Sequence, residues 1–470
     1  MRLNGRLRLG LVLLAMAIPA IWLAPGCGAR TDLGDYEEED EGDAGADADA
    51  QADADTGDSA DMQEDVVEDV IEDGVVEDVV VEDGVVEDVV VEDGMVDVVE
   101  DVPADVPADV PADVPGDGAC ADADGDGYTT CDNDCNDLNP LVNPGAFDFP
   151  NGADDDCDGG ADNPFIACGA GLQYTSQDPL DYAKAIELCQ TTTAGATGAD
   201  KKWGVISAEL RLANGAGTPA PQSHSIISAM GQVLGPRANQ NFVFLSSGLA
   251  ATPGQPYYQP GTPQGGTAHG TQSPVPPGFP TNKQGCPLPS SGTAFDPVNL
   301  KLTLRVPTNA ASFAFDHAFF SAEYPEYACS AFNDLWVTLL NTGAPGIANN
   351  KNVIFDNQGT PGSVNLNFFD RCVAGPTGCA GNPGFNFCAG GKTELNGTGY
   401  GDPDVACGPP SSIGGSSGWI TTAAPMLPGE TITVQFIVWD SSDPIFDSAS
   451  ILDNFRWLEG ALPNPQTLRP

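Results

Sequence analysis

Residues 431–439 read TITVQFIVW, and apolar side chains alternate with polar ones through most of this stretch. The same alternation occurs at 301–306, KLTLRV, and at 312–320, SFAFDHAFF. A two-residue period is typical of β-strands with one buried face. Residues 203–211 and 242–246 are further strand candidates. Many short strands joined by Gly- and Pro-rich connections predict a mainly β domain, an antiparallel β-sandwich or jelly roll.

Two short helices are predicted within this β domain. Asp178 precedes Pro179, which combines an N-cap residue with a proline at the first helical position, so we expect a helix from here to Cys189. Ser223 is a second candidate N-cap. The apolar residues expected on one face of that second helix are Ile226, Met230 and either Val233 or Leu234.

Negative charge is concentrated ahead of the β domain. The chain of 470 residues has a net charge of −51, and residues 31–119 contribute 35 acidic side chains without one Lys or Arg. The unit EDGVVEDVVV recurs from residue 72 onward and is followed by Asp-Val-Pro repeats. Such a segment cannot bury a core, and its self-repulsion favours an extended chain. We therefore predict a disordered acidic stalk at 27–119. Nucleic acid is excluded as a partner because no segment offers a basic face.

The first 26 residues have the organisation of an export signal. Three arginines among the first eight residues precede the apolar stretch 9–23, which ends in LAPGC at 23–27. This ending resembles a bacterial lipobox. We predict a lipoprotein signal peptide at 1–26 and lipidation of Cys27, so that the membrane is a partner through the lipid. The expected location is the bacterial cell envelope, at the outer membrane or cell surface. The alternative is an ordinary secretory signal.

The cysteine count fits an exported chain. Without Cys27, twelve of the thirteen cysteines remain, an even number that predicts disulfides outside the cytoplasm. We expect Cys168 to pair with Cys189 and to tie the first helix to the segment before it. A second set of cysteines is expected to staple a long loop: Cys372, Cys379, Cys388 and Cys407.

Residues 120–162 form an acidic module with twelve Asp, four Cys and no Lys, Arg or Glu. The run 122–128, DADGDGY, places carboxylates at positions 1, 3 and 5, Gly at 6 and a backbone carbonyl at 7, as in an EF-hand-type Ca²⁺ loop. Position 12 is Asn133 instead of Glu, so a flanking Asp must close the shell. The predicted ligands are Asp122, Asp124, Asp126, the carbonyl of Tyr128 and either Asp132 or Asp134.

A second acidic run follows in the same module. Asp154, Asp156 and Asp158, in DDDCDG at 154–159, offer more carboxylates than one ion needs, so two ions can be accommodated. Hard carboxylate ligands without His favour Ca²⁺ over zinc or copper. The alternative is an acidic linker tied by disulfides and without a metal.

Three short runs occur in a characteristic order within the module. The runs DCND at 134–137, NPGA at 143–146 and GADDDCDG at 152–159 resemble the metal-binding motif named after the copper-binding MopE-type surface proteins. The resemblance implies a metal-binding module. It departs from the family at 150–152, where PNG replaces Cys-Asp-Gly, and the disulfide pairing in the module is therefore open. These residues do not support copper, because soft and imidazole ligands are absent.

A second resemblance covers most of 165–460. Its segments, in chain order, are WGVISAEL at 203–210, GPR at 235–237, FLSSGLA at 244–250, FFSAEYPEYACSAFNDLWVTLL at 319–340, ELNGTGY at 394–400, PGETITVQFIVWD at 428–440 and DSASILDNFRW at 447–457. Together they resemble the bacterial choice-of-anchor L domain, whose members are exported surface proteins without an established catalytic activity. The resemblance implies one domain at 163–460, followed by a tail at 461–470.

Carboxylates cluster at the ends of apolar strands in two of these segments. If the segments are neighbours, Glu323 and Asp334 would be crowded against Asp440 and Asp447, and a second metal ion would relieve their repulsion. The alternative is that these acids form turns and caps at strand ends.

Signals for catalysis are weak. The G-x-S-x-G pattern at 414–418 lies in a Gly/Ser loop without the strand–turn–helix context of a nucleophile. The sequence therefore predicts a surface protein that binds Ca²⁺ and adheres to a glycan, matrix or another surface protein, and that is not an enzyme. The rivals are a secreted hydrolase acting on an extracellular polymer, which would need a cleft with paired carboxylates, and a structural envelope protein without a ligand.

Overall fold

Two antiparallel sheets form the β domain in a computed structural model that describes residues 120–163, 168–258, 267–401 and 414–470. The predicted signal peptide, Cys27 and the predicted stalk at 27–119 lie outside the described residues. No helix within the described ranges is long and apolar enough to cross a bilayer.

Strands dominate the described part of the chain, with one α-helix and three short 3₁₀ turns. The helix is α1 (Pro179–Lys184), and the 3₁₀ turns are Thr130–Asp132, Gly198–Asp200 and Thr393–Leu395. The strands are β1 (Gly204–Arg211), β2 (His224–Ile227), β3 (Phe242–Ser246), β4 (Gln272–Pro274), β5 (Thr293–Arg305), β6 (Ser312–Ser321), β7 (Leu335–Asn341), β8 (Gly375–Thr377), β9 (Gly384–Asn386), β10 (Gly415–Ser416), β11 (Ile420–Pro425), β12 (Thr431–Ser441), β13 (Ser448–Leu458) and β14 (Gln466–Leu468).

The strands form two main sheets and one small hairpin. Sheet A has the order β1-β5-β12-β7, with β4 also paired to β5. Sheet B has the order β14-β11-β6-β13-β3-β2, with β10 also paired to β6, and β8 pairs with β9 alone. All these strand pairs are antiparallel. The predicted mainly β, antiparallel architecture is confirmed, and residues 461–470, predicted as a tail, contribute β14 to sheet B.

The inner faces of the two sheets share one hydrophobic core. Buried residues of β5 and β12 in sheet A belong to the same cluster as buried residues of β3, β6 and β13 in sheet B. The rings of Phe315 in β6 and Phe436 in β12 meet edge to face, with centroids 5.1 Å apart. This face-to-face contact makes the domain a β-sandwich.

Strand β12 is covered on its outer side as well. Ile437 and Trp439 lie in a second buried cluster, against which Val275 and Phe279 pack. The rings of Phe279 and Trp439 have centroids 5.8 Å apart. The consecutive apolar residues at 437–439 therefore belong to a part of the strand that is buried on both faces.

The helix predicted at Asp178 is present but shorter than expected. The Asp178 carboxylate accepts a hydrogen bond from the N–H of Leu180 at 3.0 Å, which is the N-cap interaction. The helix ends at Lys184 instead of Cys189 because the chain turns back, and the N–H of Leu188 donates to the carbonyl of Ala183.

The second predicted helix, with Ser223 as its cap, is wrong. His224–Ile227 form β2, which pairs with β3 and is buried at all four residues. Beyond it the N–H of Met230 donates to the carbonyl of Leu234, and Gly231 between them has a φ of 66°. A strand followed by a tight turn thus reproduced the apolar spacing of a helix, and pairing with β3 decided the conformation.

Five disulfides join described cysteines. Cys168 pairs with Cys189, as named from the sequence. Cys372 and Cys388 of the predicted loop set pair with each other, and Cys379 is also disulfide-bonded. Cys407 lies outside the described residues. The remaining pairs are Cys120–Cys131, Cys135–Cys157 and Cys286–Cys329.

Two acidic side chains are buried together where the turn after α1 meets β13. Glu187 and Asp453 face each other, and Asn239 Nδ2 donates to Glu187 Oε1 at 2.8 Å. Burial, followed by the charge of Asp453, raises the pKa of Glu187 to about 8. Burial also raises the pKa of Asp453 to about 6. The folded chain therefore holds a proton at this pair.

The replacement Glu187→Gln should flatten the pH dependence of stability. Because folding raises the pKa of Glu187, its contribution to the free energy of unfolding is present below its ordinary pKa and is lost as pH rises toward about 8. Gln carries the hydrogen-bonding groups of the neutral acid and does not ionise. Urea unfolding with chelator, at pH of about 5 and about 8, should show a smaller loss for E187Q than for wild type.

The matched control is Glu459→Gln at an exposed position, which should keep the wild-type dependence on pH. An unchanged loss of stability in E187Q would contradict the assignment of the buried proton.

Candidate metal centre

The acidic module is hydrogen-bonded to the connection between β5 and β6. Asn309 Oδ1 accepts from the N–H of Phe147, and Asn309 Nδ2 donates to the carbonyl of the same residue, both at 2.8 Å. Thr308 Oγ1 donates to Asn143 Oδ1 at 2.8 Å. These contacts fix the orientation of the module on the sandwich.

Aromatic side chains of the module continue the core of the sandwich. The ring of Phe147 lies 4.9 Å from that of Phe149 and 5.2 Å from that of Trp203. Trp203 in turn meets Trp457 of β13 at 6.2 Å. Because Phe149 belongs to the main hydrophobic cluster, the module is a part of the folded domain and not a free hinge.

The first loop of the module, residues 122–128, is shaped by hydrogen bonds to its own carboxylates. Asp122 accepts from the N–H of Gly125 at 2.6 Å and from the N–H of Gly127 at 3.0 Å. The two glycines have φ of 85° and 92°, which a residue with a side chain adopts only under strain. The loop therefore curls around its acidic side chains.

Two carboxylates of this loop and one from outside it converge at a single point. Asp124, Asp126 and Asp134 each present one oxygen, and these oxygens lie within 4.8 Å of one another. One oxygen each of Asp124 and Asp134 is buried without a hydrogen-bond partner. Asp122, Asp124 and Asp137 form an adjoining group of the same size. Unpartnered acceptors facing each other are what a bound cation would satisfy.

The structure distinguishes between the two candidates for closing the first site. Asp134 joins the triad, whereas Asp132 accepts a hydrogen bond from Thr129 Oγ1 and lies against Gly198. Asp132 therefore lies outside the described triads. Asp137 was not predicted as a ligand, because the closing ligand was expected only among the residues that flank position 12 of the loop. Its signal in the sequence is its place in the DCND run.

Tyr128, predicted as a carbonyl ligand, anchors the loop through its side chain. The ring is buried, and the hydroxyl donates to the carbonyl of Lys201. Lys201 Nζ lies 5.4 Å from the ring centroid. Burial raises the pKa of the hydroxyl to about 12, so it remains a donor at neutral pH. The loop is thus held against the segment that leads into β1.

A second triad repeats the first arrangement. Asp154, Asp156 and Asp158 bring one oxygen each within 4.8 Å, and Asp154 accepts from the N–H of Asp158 at 3.1 Å. The pattern D-x-D-x-D-G occurs at both 122–127 and 154–159. This internal repeat is the sequence feature that predicts two similar sites.

Asp156 is a half-buried member of the second triad. Its Oδ1 has no hydrogen-bond partner. Burial, followed by the charge of Asp158, raises its pKa to about 6. The disulfide Cys135–Cys157 joins this loop to the residues beside Asp134. A cation at this position would compete with the proton and would favour the ionised carboxylate.

The available ligands in the module are oxygens. Residues 120–163 contain no His and no Met, and all four cysteines are in disulfides, so they offer no thiolate. Burial raises the pKa of Asp126 and Asp134, and the charge of Asp124 adds to both shifts. Crowded carboxylates fit a hard cation such as Ca²⁺ and do not fit the soft ligand preference of copper.

The four acids predicted to be crowded in the sandwich are buried at one end of it. Glu323, Asp334, Asp440 and Asp447 are each at most 2% exposed. The charge of Asp334 acts on both Glu323 and Asp440, and the charge of Asp447 acts on Asp440. In the described part of the chain, triads with oxygens within 4.8 Å occur only in the module, and these four acids do not form one.

The replacement Asn309→Ala should loosen the module without unfolding the sandwich. It removes two hydrogen bonds to Phe147, which together contribute about 1–3 kcal/mol to docking. Hydrogen exchange followed by mass spectrometry should show faster exchange at 143–149 and unchanged protection in β12. The control Asn464→Ala, at an exposed position, should exchange like wild type. Unchanged protection at 143–149 in N309A would rule out this docking contact.

Comparison with known proteins agrees with the location of these sites. A family model for Cu-binding MopE, described as "Putative metal-binding motif", matches residues 134–163. The matched segment contains Asp134, Asp137 and the second triad. No curated protein and no solved structure gave a significant match. The chain thus carries a short metal-binding motif of this type, within a β-rich, disulfide-containing domain.

Proposed function

We propose that this protein is a lipid-anchored, Ca²⁺-binding protein of the cell surface whose β-sandwich serves in binding or adhesion. The observation that carries the metal assignment is the pair of carboxylate triads in the module. Each triad contains a buried oxygen without a hydrogen-bond partner, on Asp124 and Asp134 in the first and on Asp156 in the second.

Ca²⁺ is the cation that best matches these ligands. It accepts carboxylate and carbonyl oxygens in irregular geometry, whereas Mg²⁺ demands a near-ideal octahedron. The family model that matches this motif is named for copper, but the triads offer no sulfur or imidazole. Asp124, Asp126 and Asp134 would hold the first ion, with Asp122 and Asp137 beside them. Asp154, Asp156 and Asp158 would hold the second.

Ca²⁺ in the module would stiffen residues 120–163 themselves. The first triad joins the loop at 122–128 to Asp134, and the disulfide Cys135–Cys157 joins the second triad to the same region. Cancelling the charge of these carboxylates removes the repulsion that opposes the folded loop. Bound Ca²⁺ would thus stabilise residues 120–163 in the conformation that packs on the sandwich.

The location and the adhesive role rest on the sequence. An apolar segment ending at Gly26-Cys27, an acidic repeat and the resemblance to choice-of-anchor L domains support an exported protein displayed away from a membrane. Such an arrangement suits a domain that contacts a glycan, matrix or another surface protein. We infer no catalytic activity.

Calorimetry on the full-length protein tests the metal assignment. Wild type should bind Ca²⁺ with a dissociation constant on the order of 10⁻⁴ to 10⁻³ M, as extracellular modules do. The variant Asp124→Asn/Asp126→Asn should lose the first site, because two of its three carboxylates become neutral. Asp132→Asn removes a neighbouring charge outside the triads and should bind like wild type.

The same titrations with Mg²⁺, Cu²⁺ and Zn²⁺ show whether Ca²⁺ is preferred. Heat from copper alone, or wild-type Ca²⁺ binding by the double variant, would refute the assignment.

The replacement Cys27→Ala tests the anchor independently of the metal. If Cys27 carries the lipid, the variant should move from the detergent-soluble membrane fraction to the soluble fraction, because acyl chains provide the attachment. Thr31→Ala, a substitution in the same segment that keeps Cys27, controls for general effects of changing this part of the chain. A C27A protein that still requires detergent would show that another element holds the chain.

A further inference from the structure

Four acidic side chains meet where strands of both sheets end. Glu323 follows β6, Asp334 precedes β7, Asp440 lies near the end of β12 and Asp447 precedes β13. All four are buried. We call this set the buried acid cluster, and it shares no residue with the acidic module.

Asp334 is the member with well-defined hydrogen bonds. Its Oδ1 accepts from the N–H of Ser441 at 2.9 Å, and its Oδ2 accepts from Ser448 Oγ at 2.7 Å. Ser441 belongs to sheet A and Ser448 to sheet B, so one carboxylate connects the two sheets. Donors on both oxygens offset part of the effect of burial on the pKa of this group.

Asp440 has no comparable donors. It is 1% exposed, and neither of its oxygens has a hydrogen-bond partner. The hydroxyl of Ser247, which lies beside Asp440, donates to the carbonyl of Ser448 at 3.1 Å. The charges of Asp334 and Asp447 act directly on Asp440, so its side chain faces the cluster. One oxygen of Glu323 is likewise buried without a partner.

Glu323, Asp334 and Asp440 lack a basic partner in the described part of the chain. Burial raises the pKa of Asp334 to about 8 and that of Glu323 to about 11, with neighbouring carboxylates adding to the shift of Glu323. Buried acceptors without partners are strongly unfavourable, so either protons or a cation must satisfy them.

A proton satisfies fewer of these buried oxygens than a divalent cation does. Protonation gives Asp440 one donor, which can serve a single neighbour such as Asp334, and it leaves the other Asp440 oxygen unsatisfied. A divalent cation accepts several oxygens at once and cancels two charges.

We propose that the buried acid cluster binds a single Ca²⁺ ion, with Asp440 as its central ligand and with Asp334, Glu323 and Asp447 around it. The carboxylates are spread more widely than those of the module triads. Neutral oxygens must therefore complete a shell of about six to eight ligands. Ser441 Oγ and the Tyr400 hydroxyl are buried without hydrogen-bond partners and are available for this role.

The absence of a side chain at Gly248 leaves space for the carboxylate of Asp447. A Cβ atom built on Gly248, which follows β3, would stand 1.8 Å from Asp447 Oδ2. Only glycine therefore leaves room for this carboxylate. With ligands contributed from β12 in sheet A and from the start of β13 in sheet B, the ion would fasten the two sheets at the end where Asp334 already connects them.

The test counts bound Ca²⁺ in a full-length background variant with the module triads disabled, Asp124→Asn/Asp134→Asn/Asp156→Asn. Equilibrium dialysis with radioactive Ca²⁺ should still find a single ion per chain, and chelator should lower the melting temperature. Adding Asp440→Asn should abolish this binding or weaken it about tenfold or more, since even indirect loss of ligand support costs that much. Adding Asp200→Asn at an exposed position should leave it unchanged.

Asn has nearly the same shape as a protonated Asp and carries no charge. The variant Asp440→Asn therefore distinguishes a cluster that holds protons from a cluster that holds a cation. If the cluster holds protons alone, the background variant binds no Ca²⁺ and Asp440→Asn leaves its melting temperature unchanged in chelator and in Ca²⁺ alike. That result overturns the proposal.

Should Asp440→Asn fail to fold, Glu323→Gln in the same background gives a second test with the same expected weakening. Retention of the ion at unchanged affinity in the folded Glu323→Gln variant would also overturn it. Because the background lacks the module sites, failure here leaves the proposed Ca²⁺ binding by the module intact, and failure of module binding leaves this count unaffected.

Discussion

Contact between the inner faces of sheets A and B is the constraint on which the rest of this structure depends. The interface is apolar apart from a few specific polar links between the sheets. Trp336 Nε1 in sheet A donates to His317 Nδ1 in sheet B at 3.0 Å. Burial lowers the pKa of His317 to about 3, so the ring stays neutral and can accept this bond. Asp334 connects Ser441 to Ser448 in a similar way. Each link satisfies polar groups that the sandwich would otherwise bury alone.

Clusters of acidic side chains lie where strands and loops leave this core. The module lies on one connection of the sandwich, and the buried acid cluster lies where β6, β7, β12 and β13 begin or end. Both places contain carboxylate oxygens without hydrogen-bond partners. The two places differ in how closely their carboxylates are held. The module triads lie within one segment that a disulfide closes. The oxygens of the buried acid cluster are spread between two sheets. Hard cations offer one physical solution for both.

The sequence predicted local features well and partner-dependent features poorly. Alternation at 301–306, 312–320 and 431–439 predicted β5, β6 and β12, and Asp178 marked the start of α1. The helix expected after Ser223 was wrong, because pairing with β3 outweighed an apolar spacing that suits a helix. In the module, the alternate Asp residues were recognised, but the choice of Asp134 over Asp132 and the place of Asp137 depended on how the chain folds back.

By itself the sequence determined the properties that depend on near neighbours in the chain. These are the strand periodicity, the N-cap, the acidic loops with glycine at positions of positive φ, and the concentration of negative charge ahead of the β domain. Only the tertiary structure decided which carboxylates share a point in space. Asp334 and Asp440 are more than a hundred residues apart, and the pairing of β7 with β12 in sheet A brings them together. No local pattern encodes such a meeting, because burial and pairing arise when distant segments pack.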